Sequence, residues 1–482
     1  MEILRGLLGV VVILGIAFLF SNNKKLLNYR LIISGLILQI IIGILVLKVP
    51  AVTRMFQSFG AGMQKIEEFG RQGAKFVLGD VLADPAELGK IFGPARGFIF
   101  AFNIPATIIL VCVLVNILYY FGIMQRLVSI IAKGVHAIMG ASGAETLSNV
   151  ASAFVGQVEA QVMIRPYLKG MTKSELLTSM AGSMACIAGG VLILYINFGV
   201  PAEYLLSASL MAAPAAIVIS KIVYPETEQS ETQGDVKLDV KTPFSNLIDA
   251  ISHGCSDGMK ISMNVLAMLI GFIALIATIN YFLKLIHPAA SLDSLFGYAF
   301  TPMAWIMGVP TEDVSSVATL MGKKLAINEF VAYLDLTAIK SNQVMIAEKL
   351  KTLQQTTGDI GAFAKSFLEG KNISIENAKK LITATGVTQE QLLSFKKLGI
   401  LQAEGNGFHF KSLSTKAIAV ASFALCGFAN FSSVGIQIGG IGELAPERKK
   451  DLAELGMKAL LCGTLASYLS AALAGILLEI SF

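Results

Sequence analysis

Charged side chains are scarce in this chain. Of its 482 residues only 15% are Asp, Glu, Lys or Arg, against about 25% in a soluble globular protein. Much of the surface therefore faces something other than water. The 38 basic and 33 acidic residues leave a net charge of +5, a surplus too small and too scattered for nucleic acid. Lys and Arg instead mark loops facing anionic headgroups and the cytoplasm. Cysteine is equally sparse: Cys112, Cys186, Cys255, Cys426 and Cys462 lie in apolar or amphipathic surroundings with no C-x-x-C pair. They read as small buried hydrophobes rather than a disulfide framework. The four histidines, His136, His253, His287 and His409, form no H-E-x-x-H pair, so nothing points to zinc. A phosphate-cradling Gly-x-x-x-x-Gly-Lys loop is also missing, which argues against ATP as the energy source.

What the chain has instead is apolar length: 54% hydrophobic residues and a mean hydropathy of +0.69. A hydrocarbon core about 30 Å thick takes about 20 apolar residues at 1.5 Å each. Runs of roughly that length are Ile3–Phe20, Leu31–Val49, Phe98–Tyr120, Met180–Val200, Tyr204–Tyr224, Ile261–Ile286 and Leu460–Leu478. The first lacks a small-residue cleavage site and a second span follows at once, so it is read as retained and not as a signal peptide. Lys24, Lys25 and Arg30 assign the intervening loop to the cytoplasm and the N-terminus to the outside. Met63–Phe76 has amphipathic helical spacing, with charges at Lys65, Glu67, Glu68 and Arg71, and suits the interface plane.

Two further segments have membrane length but carry polar residues. Ala141–Ile164 holds Glu145, Asn149, Gln157, Glu159 and Gln161; Ala417–Ile441 is broken by Asn430, Ser432, Ser433 and the glycines Gly427, Gly435, Gly439 and Gly440. Paired broken segments in the two halves of a transporter point to its substrate site. Irregular backbone is tolerated at membrane depth only inside protein or along a polar cavity. Ser, Asn and Gln often serve only to glue helices together, but a carboxylate at a helix centre costs about 2.5–3.5 kcal/mol and asks for a function. Residues 335–412 differ from the rest: they are lysine-rich and polar, with a capping box at Thr388-Gln-Glu-Gln391 and a flexible turn at Gly405-Asn-Gly407. They read as a soluble insertion of several short helices, a spacer or docking module without a nucleic-acid-reading motif.

Three clusters carry chemistry: Gly156-Gln-Val-Glu159, Asn328-Glu-Phe-Val-Ala-Tyr333 and Gly427-Phe-Ala-Asn-Phe-Ser-Ser433. Carboxylates accept hydrogen bonds from vicinal hydroxyls, amides pair with ring N–H and C=O groups, and Phe428 offers a stacking face. An uncharged, hydroxyl-rich substrate with a heteroaromatic part would suit them. With Arg165-Pro-Tyr167, Thr172-x-Ser-Glu-Leu176, Asn246-Leu-Ile-Asp249, Ser256-Asp-Gly258 and Ala424-Leu-Cys-Gly-Phe-Ala-Asn430 in the same order, the chain resembles the concentrative nucleoside transporters over most of its length outside 335–412.

The resemblance implies an all-α polytopic membrane protein, an inverted-repeat transporter with two re-entrant helical hairpins, interfacial helices and a soluble helical insertion, assembled as a homotrimer. The hairpins are expected to include the two broken segments. The divisions are 1–97 (N-terminal helices and interfacial helix), 98–334 (core with the first hairpin), 335–412 (insertion) and 413–482 (second hairpin and C-terminal helices). By resemblance Gln157 and Glu159 would face the nucleobase, with Val158 where the family often has Thr or Ser. Glu329, Asn430 and Ser433 would bind the ribose hydroxyls, and Phe428 would pack on the nucleoside. A sodium site would fall at Ser152, Val155, Cys186 and Ile187, although the family's sodium-coupled members carry Asn and Ser side chains where this chain has Ser152 and Cys186. Sodium and a proton are both open as the coupling ion, and no other cofactor is expected. The function implied is cation-coupled secondary active uptake of nucleosides across a bacterial-type cytoplasmic membrane. Two rivals are an intramembrane enzyme using Glu159 and Glu329 as an acid/base pair, for which no nucleophile constellation accompanies them, and a passive channel.

Overall fold

The computed structural model describes residues 2–92, 99–232, 244–288, 290–354, 364–365, 373–374, 401–404, 407–410 and 413–480. Helices α1 (Glu2–Leu19) and α2 (Tyr29–Lys48) are the first two spans; Asn28 caps α2 by accepting the Leu31 N–H. Pro50 opens the long amphipathic α3 (Pro50–Ala83), which kinks at Gly79, and α4 (Pro85–Phe92) follows. Then come α5 (Phe100–Tyr120) and α6 (Ile123–Met139). The central series is α7 (Gly143–Ser152), α8 (Glu159–Met163), α9 (Lys173–Ala185), α10 (Gly189–Asn197) and α11 (Ala202–Val223). It is followed by α12 (Leu247–Ile286), α13 (Leu292–Ile306), α14 (Val314–Ala326) and α15 (Glu329–Gln354). The chain finishes with α16 (Thr415–Leu425), α17 (Phe431–Leu444) and α18 (Lys449–Glu479). Among the described residues six helices are long and apolar enough to cross a membrane.

The core is built from two copies of one motif. In the first, the α7–α8 hairpin is followed by the interrupted helix α9/α10 and by α11; in the second, the α14–α15 hairpin is followed by α16/α17 and α18. In both copies the hairpin's first helix packs on the first half of the interrupted helix, α7 on α9 and α14 on α16, and α11 lies along α18. The copies run in opposite senses. The starts of α7 and α9 meet the end of α11, where Lys221 bonds Glu145 at 2.8 Å and Ser174 at 2.9 Å. The starts of α14 and α16 meet through Asp313 and Ser414 (2.7 Å), and Lys416 reaches Glu479 at the end of α18. Helix α1 connects these two faces. Glu2 at its start bonds Lys416, and Asn22, just past its end, donates its N–H to the Val223 carbonyl.

Three expectations change. Met180–Val200 is not one span: Cys186 and Ala188 have extended backbone and divide it into α9 and α10. The second hairpin is α14–α15, turning at Ile327 and Asn328. The polar segment 417–441 forms α16 and α17, which each pack along α18 rather than folding against one another. Last, the described part of the insertion holds strands as well as helix. Helix α15 runs through residue 335 to Gln354 with Leu336 and Ile339 buried. Farther on, strands β1 (Ile373–Ser374), β2 (Leu401–Glu404) and β3 (Gly407–Phe410) form an antiparallel sheet ordered β1-β3-β2. Glu404 pairs with Gly407; Gly405 and Asn406 of the expected flexible turn lie outside the described residues. The expected capping box at 388–391 lies outside the described residues.

Candidate functional site

The first hairpin begins at a capping box. Ser142 accepts the Glu145 N–H, and the Glu145 carboxylate accepts the Ser142 N–H at 2.8 Å while pairing with Lys221. Helix α9 begins the same way, at Thr172 and Glu175. Both starts are thereby fixed, and α7 and α9 run inward together. At their inner ends Ser152 Oγ lies 3.0 Å from Ser183 Oγ, which accepts from Gln161 at 2.8 Å, and Ser179 donates to Gln161 Oε1. The hairpin loop is bound to the interrupted helix by the Gly189 N–H on the Phe154 carbonyl.

Ser152, Val155, Cys186 and Ile187 are all buried at this junction. The Cys186 thiol is turned away toward the Ser209 carbonyl, 3.7 Å off. The carbonyls of Val155, Cys186 and Ile187 accept none of the loop and cap hydrogen bonds around them. An uncovered set of backbone oxygens with one hydroxyl is a donor set for a hard cation.

The second hairpin turns at Asn328, whose side chain accepts the Val331 N–H at 3.0 Å and starts α15. This sets Glu329 in the interior. Tyr195 of α10 donates to Glu329 Oε1 at 3.0 Å and Asn430 Nδ2 donates to Oε2 at 3.1 Å. Asn430 is also the N-cap of α17, accepting the Ser433 N–H and the Ser432 hydroxyl. Tyr195 is held by Tyr333, ring centroids 4.4 Å apart. Each carboxylate oxygen has a second lone pair, so Glu329 keeps capacity for further donors.

The two interruptions cross. Gly427 has φ +100°, and a Cβ there would sit 2.3 Å from the Ala185 carbonyl oxygen, so only glycine both adopts this turn and lets the backbones touch. Gly156 is a second close approach: a Cβ would overlap the Glu159 carboxylate.

The expected residues fall into groups. Glu329, Asn430 and Ser433 form one hydrogen-bonded set. Val158 lies against Gly440 of α17, where a Cβ would meet its Cγ2 at 2.8 Å. Asn430, Ser433, Gln437 and Gly440 follow one face of α17, about 15 Å long at 1.5 Å per residue. The first hairpin thus approaches one end of that face and Glu329 the other. Gln157 has a buried Oε1 without a partner, and Phe428 is packed on the core beside Gly427. Glu159 points elsewhere, into a cavity of about 630 Å³ between the first hairpin, α5 and α12, where Asn116, Tyr119 and Asp257 are among the lining groups. Of the expected residues only Val155 and Glu159 border that cavity.

Three groups escaped the sequence reading. Tyr195 gave no signal. Gln437 is fully buried with both amide atoms unpaired, and its spacing of four from Ser433 was the available clue. Lys324 is buried and donates to the carbonyls of Ala424 (2.9 Å) and Cys426 (2.8 Å); a lysine pair four residues before Asn328 was its trace.

Inverted hairpins and interrupted helices around buried polar groups define a secondary transporter, whose substrate and ion sites lie where such helices break. Comparison with known proteins gives the family. Models described as the Na+ dependent nucleoside transporter C-terminus and N-terminus match residues 204–364 with 372–475, and residues 8–81; one described as nucleoside recognition matches 101–202. The chain is 36% identical over 481 residues to the uncharacterized transporter YutK of Bacillus subtilis, covering 98% of this chain and 99% of that protein. It is 32% identical over 484 residues to the nucleoside permease NupC of Helicobacter pylori, covering 99% and 98%. The solved structure of CNTnw in an inward-facing substrate-bound state aligns with a TM-score of 0.79 at 33% identity, covering 100% of this chain and 99% of that one. The chain belongs to the Na+ dependent nucleoside transporter family. It is a multi-pass protein of the cytoplasmic membrane that takes up nucleosides by cation-coupled secondary transport, and it is not an enzyme.

Proposed function

We propose that sodium is the coupling ion and that nucleoside binds along the polar face of α17, between Glu329 and the tip of the first hairpin. The observation that carries this reading is the buried Glu329 carboxylate, oriented by Tyr195 and Asn430. Burying a carboxylate at membrane depth is costly, which marks it as a group kept for function. Vicinal ribose hydroxyls would donate to Glu329 and bond Asn430 and Ser433, while Phe428 packs on the nucleoside. Gln157 would take the base edge, with Gln437 as an unpaired amide on the same face as Ser433; Glu159 would join them only by turning from the cavity it now lines. Val158 contributes shape only, having no hydroxyl.

Sodium would be held by Ser152 Oγ and the carbonyls of Val155, Cys186 and Ile187. The carbonyl and not the thiol acts at position 186, because a thiol is a poor ligand for a hard cation. The site joins the first hairpin to the α9/α10 break, so cation binding would fix the hairpin against the helix that carries Tyr195 to Glu329. That linkage is a physical route for coupling ion to substrate.

The stationary part would be α5 with α12. Helix α12 has 40 residues and lies along α5, with Ile270, Ile273, Phe282 and Ile286 exposed. Lipid or neighbouring subunits could cover that apolar face, and the homotrimer rests on the family resemblance. The cluster of Lys173, Arg448 and Lys458, where Lys458 bonds Asn22, supports a cytoplasmic face there and the start of α1 outside. The test is uptake into proteoliposomes at fixed pH with sodium replaced by choline, with and without an imposed pH gradient. Sodium coupling predicts uptake that needs sodium and ignores the pH gradient; uptake that persists in choline and follows the pH gradient overturns it.

A further inference from the structure

Each half-helix that ends at an interruption leaves its last carbonyls without helical partners, and its C-terminal end carries partial negative charge. Helix α9 ends at Ala185 with Cys186 as its cap, and α16 ends at Leu425 with Cys426 as its cap; both caps have extended backbone. The two ends face each other where Gly427 meets the Ala185 and Met184 carbonyls. The repeat that places Ser152 at the inner end of α7, beside the first break, places Lys324 near the inner end of α14, beside the second. Its Nζ donates to the carbonyls of Ala424 at 2.9 Å and Cys426 at 2.8 Å and to Ser467 Oγ at 3.3 Å. Those are three acceptors for the three donors of an ammonium.

The contrast with Lys221 is informative. Lys221 is also buried, but it pairs with carboxylates, Glu145 at 2.8 Å and Glu226 at 3.2 Å. The Lys324 ammonium meets neutral oxygens instead, two carbonyls at the end of α16 and the Ser467 hydroxyl of α18, and oxygens of that kind bind a hard cation.

We propose that Lys324 is a tethered cation: its ammonium fills the second repeat's counterpart of the sodium site, so that this transporter carries one free ion where the fold provides two cation positions. The proposal builds on the reading of Ser152, Val155, Cys186 and Ile187 as the sodium site. The tethered ammonium holds the second break in one geometry, and with it Asn430 and Glu329. The first break is ordered only when its ion is present.

The test counts ions on the purified full-length protein, using radioactive sodium at equilibrium and the dependence of the melting temperature on sodium. Lys324→Ala opens a pocket lined by the Ala424 and Cys426 carbonyls and Ser467, and should bind one sodium ion per protomer more than the parent protein. Its nucleoside affinity should fall in low sodium and recover as sodium or methylammonium is raised. Lys324→Ser, which adds a hydroxyl ligand, should behave alike and serves if the alanine variant does not assemble. Lys324→Met, whose apolar stem fills the space, should gain no ion, and its loss of affinity should not recover. Equal ion counts in the alanine or serine variant and the parent overturn the proposal, as does recovery of the methionine variant by sodium. A parent protein that binds no sodium would instead remove the first-repeat reading, while the gain of an ion on substitution would still report on Lys324.

Discussion

The first repeat meets its interrupted helix with hydroxyls and uncovered carbonyls, at Ser152, Ser183, Cys186 and Ile187, whereas the second meets its own with charge, Lys324 on the Ala424 and Cys426 carbonyls and Glu329 on Asn430. The same architecture therefore has one half that needs something from solution to satisfy it and one half that carries its own ions. A transporter needs that inequality. A site satisfied from within holds its shape, while a site left open responds to an ion gradient.

The strongest way to break the comparison is to strike both halves where they touch. Gly427→Ala puts a Cβ 2.3 Å from the Ala185 oxygen and adds the left-handed backbone penalty of about 1–2 kcal/mol. The variant should fail to assemble a stable protein, seen as loss of a monodisperse chromatographic peak. Gly189→Ala, with its nearest contact at 2.8 Å on the Phe154 carbonyl, touches the first half alone and should cost less stability. A stable, active Gly427→Ala protein would mean the two breaks do not need their close contact.

Next in size is Glu329→Gln, which tests whether the charge of the second half is for substrate. Losing a charged hydrogen-bond partner costs about 1.5–3 kcal/mol, or roughly tenfold to a hundredfold in affinity. Nucleoside affinity by calorimetry should fall by that factor in a variant that assembles normally. Unchanged affinity removes Glu329 from the site. A smaller change sharpens the first half. Cys186→Ser supplies an oxygen where a thiol now faces Ser209, and should raise apparent sodium affinity about fivefold, for a gain of about 1 kcal/mol. Equal sodium dependence in the two proteins would mean that no side chain at position 186 reaches the ion. The smallest effect should come from outside both repeats. Replacing 355–412 with a short Gly/Ser bridge should leave nucleoside affinity unchanged, since α15 keeps Tyr333, Leu336 and Ile339 buried and pairs Asp335 with Lys323. Complete loss of binding in an assembled deletion would make the insertion part of the site or its gate.

How much of this was legible in the sequence follows from what each residue type signals. Uninterrupted apolar runs such as Leu31–Val49 and Tyr204–Tyr224 became α2 and α11 because length and hydropathy alone set a span. Glu159, Glu329 and Asn430 stood out because polar groups at membrane depth are costly. The α9/α10 break was silent because Cys186-Ile-Ala-Gly-Gly190 contains nothing polar; the interruption lies in the backbone angles of Cys186 and Ala188. Which polar segment folds back as a hairpin was also hidden. The short turn at Ile327 and Asn328 and the long-range packing of α16 and α17 on α18 decide it, and neither is a local pattern. Lys324 was overlooked because lysine in a membrane protein normally marks a loop, and its acceptors lie a hundred residues downstream. The insertion's strands were too short for a period of two to be noticed.

Lys416 holds Glu2 at 2.6 Å and Glu479 at 2.9 Å. The first residues of α1 and the last of α18 are thus clasped by one side chain on one face of the protein. The chain is then close to a ring. A short linker from the end of α18 to the start of α1, with new termini opened in the insertion after Gln354, would give a circular permutant in which the second hairpin's interrupted-helix partner precedes the first repeat, an arrangement that nearby ends allow. Reporter domains joined next to Glu2 and Glu479 should meet in one compartment, which makes the pair a direct readout of assembly in the membrane.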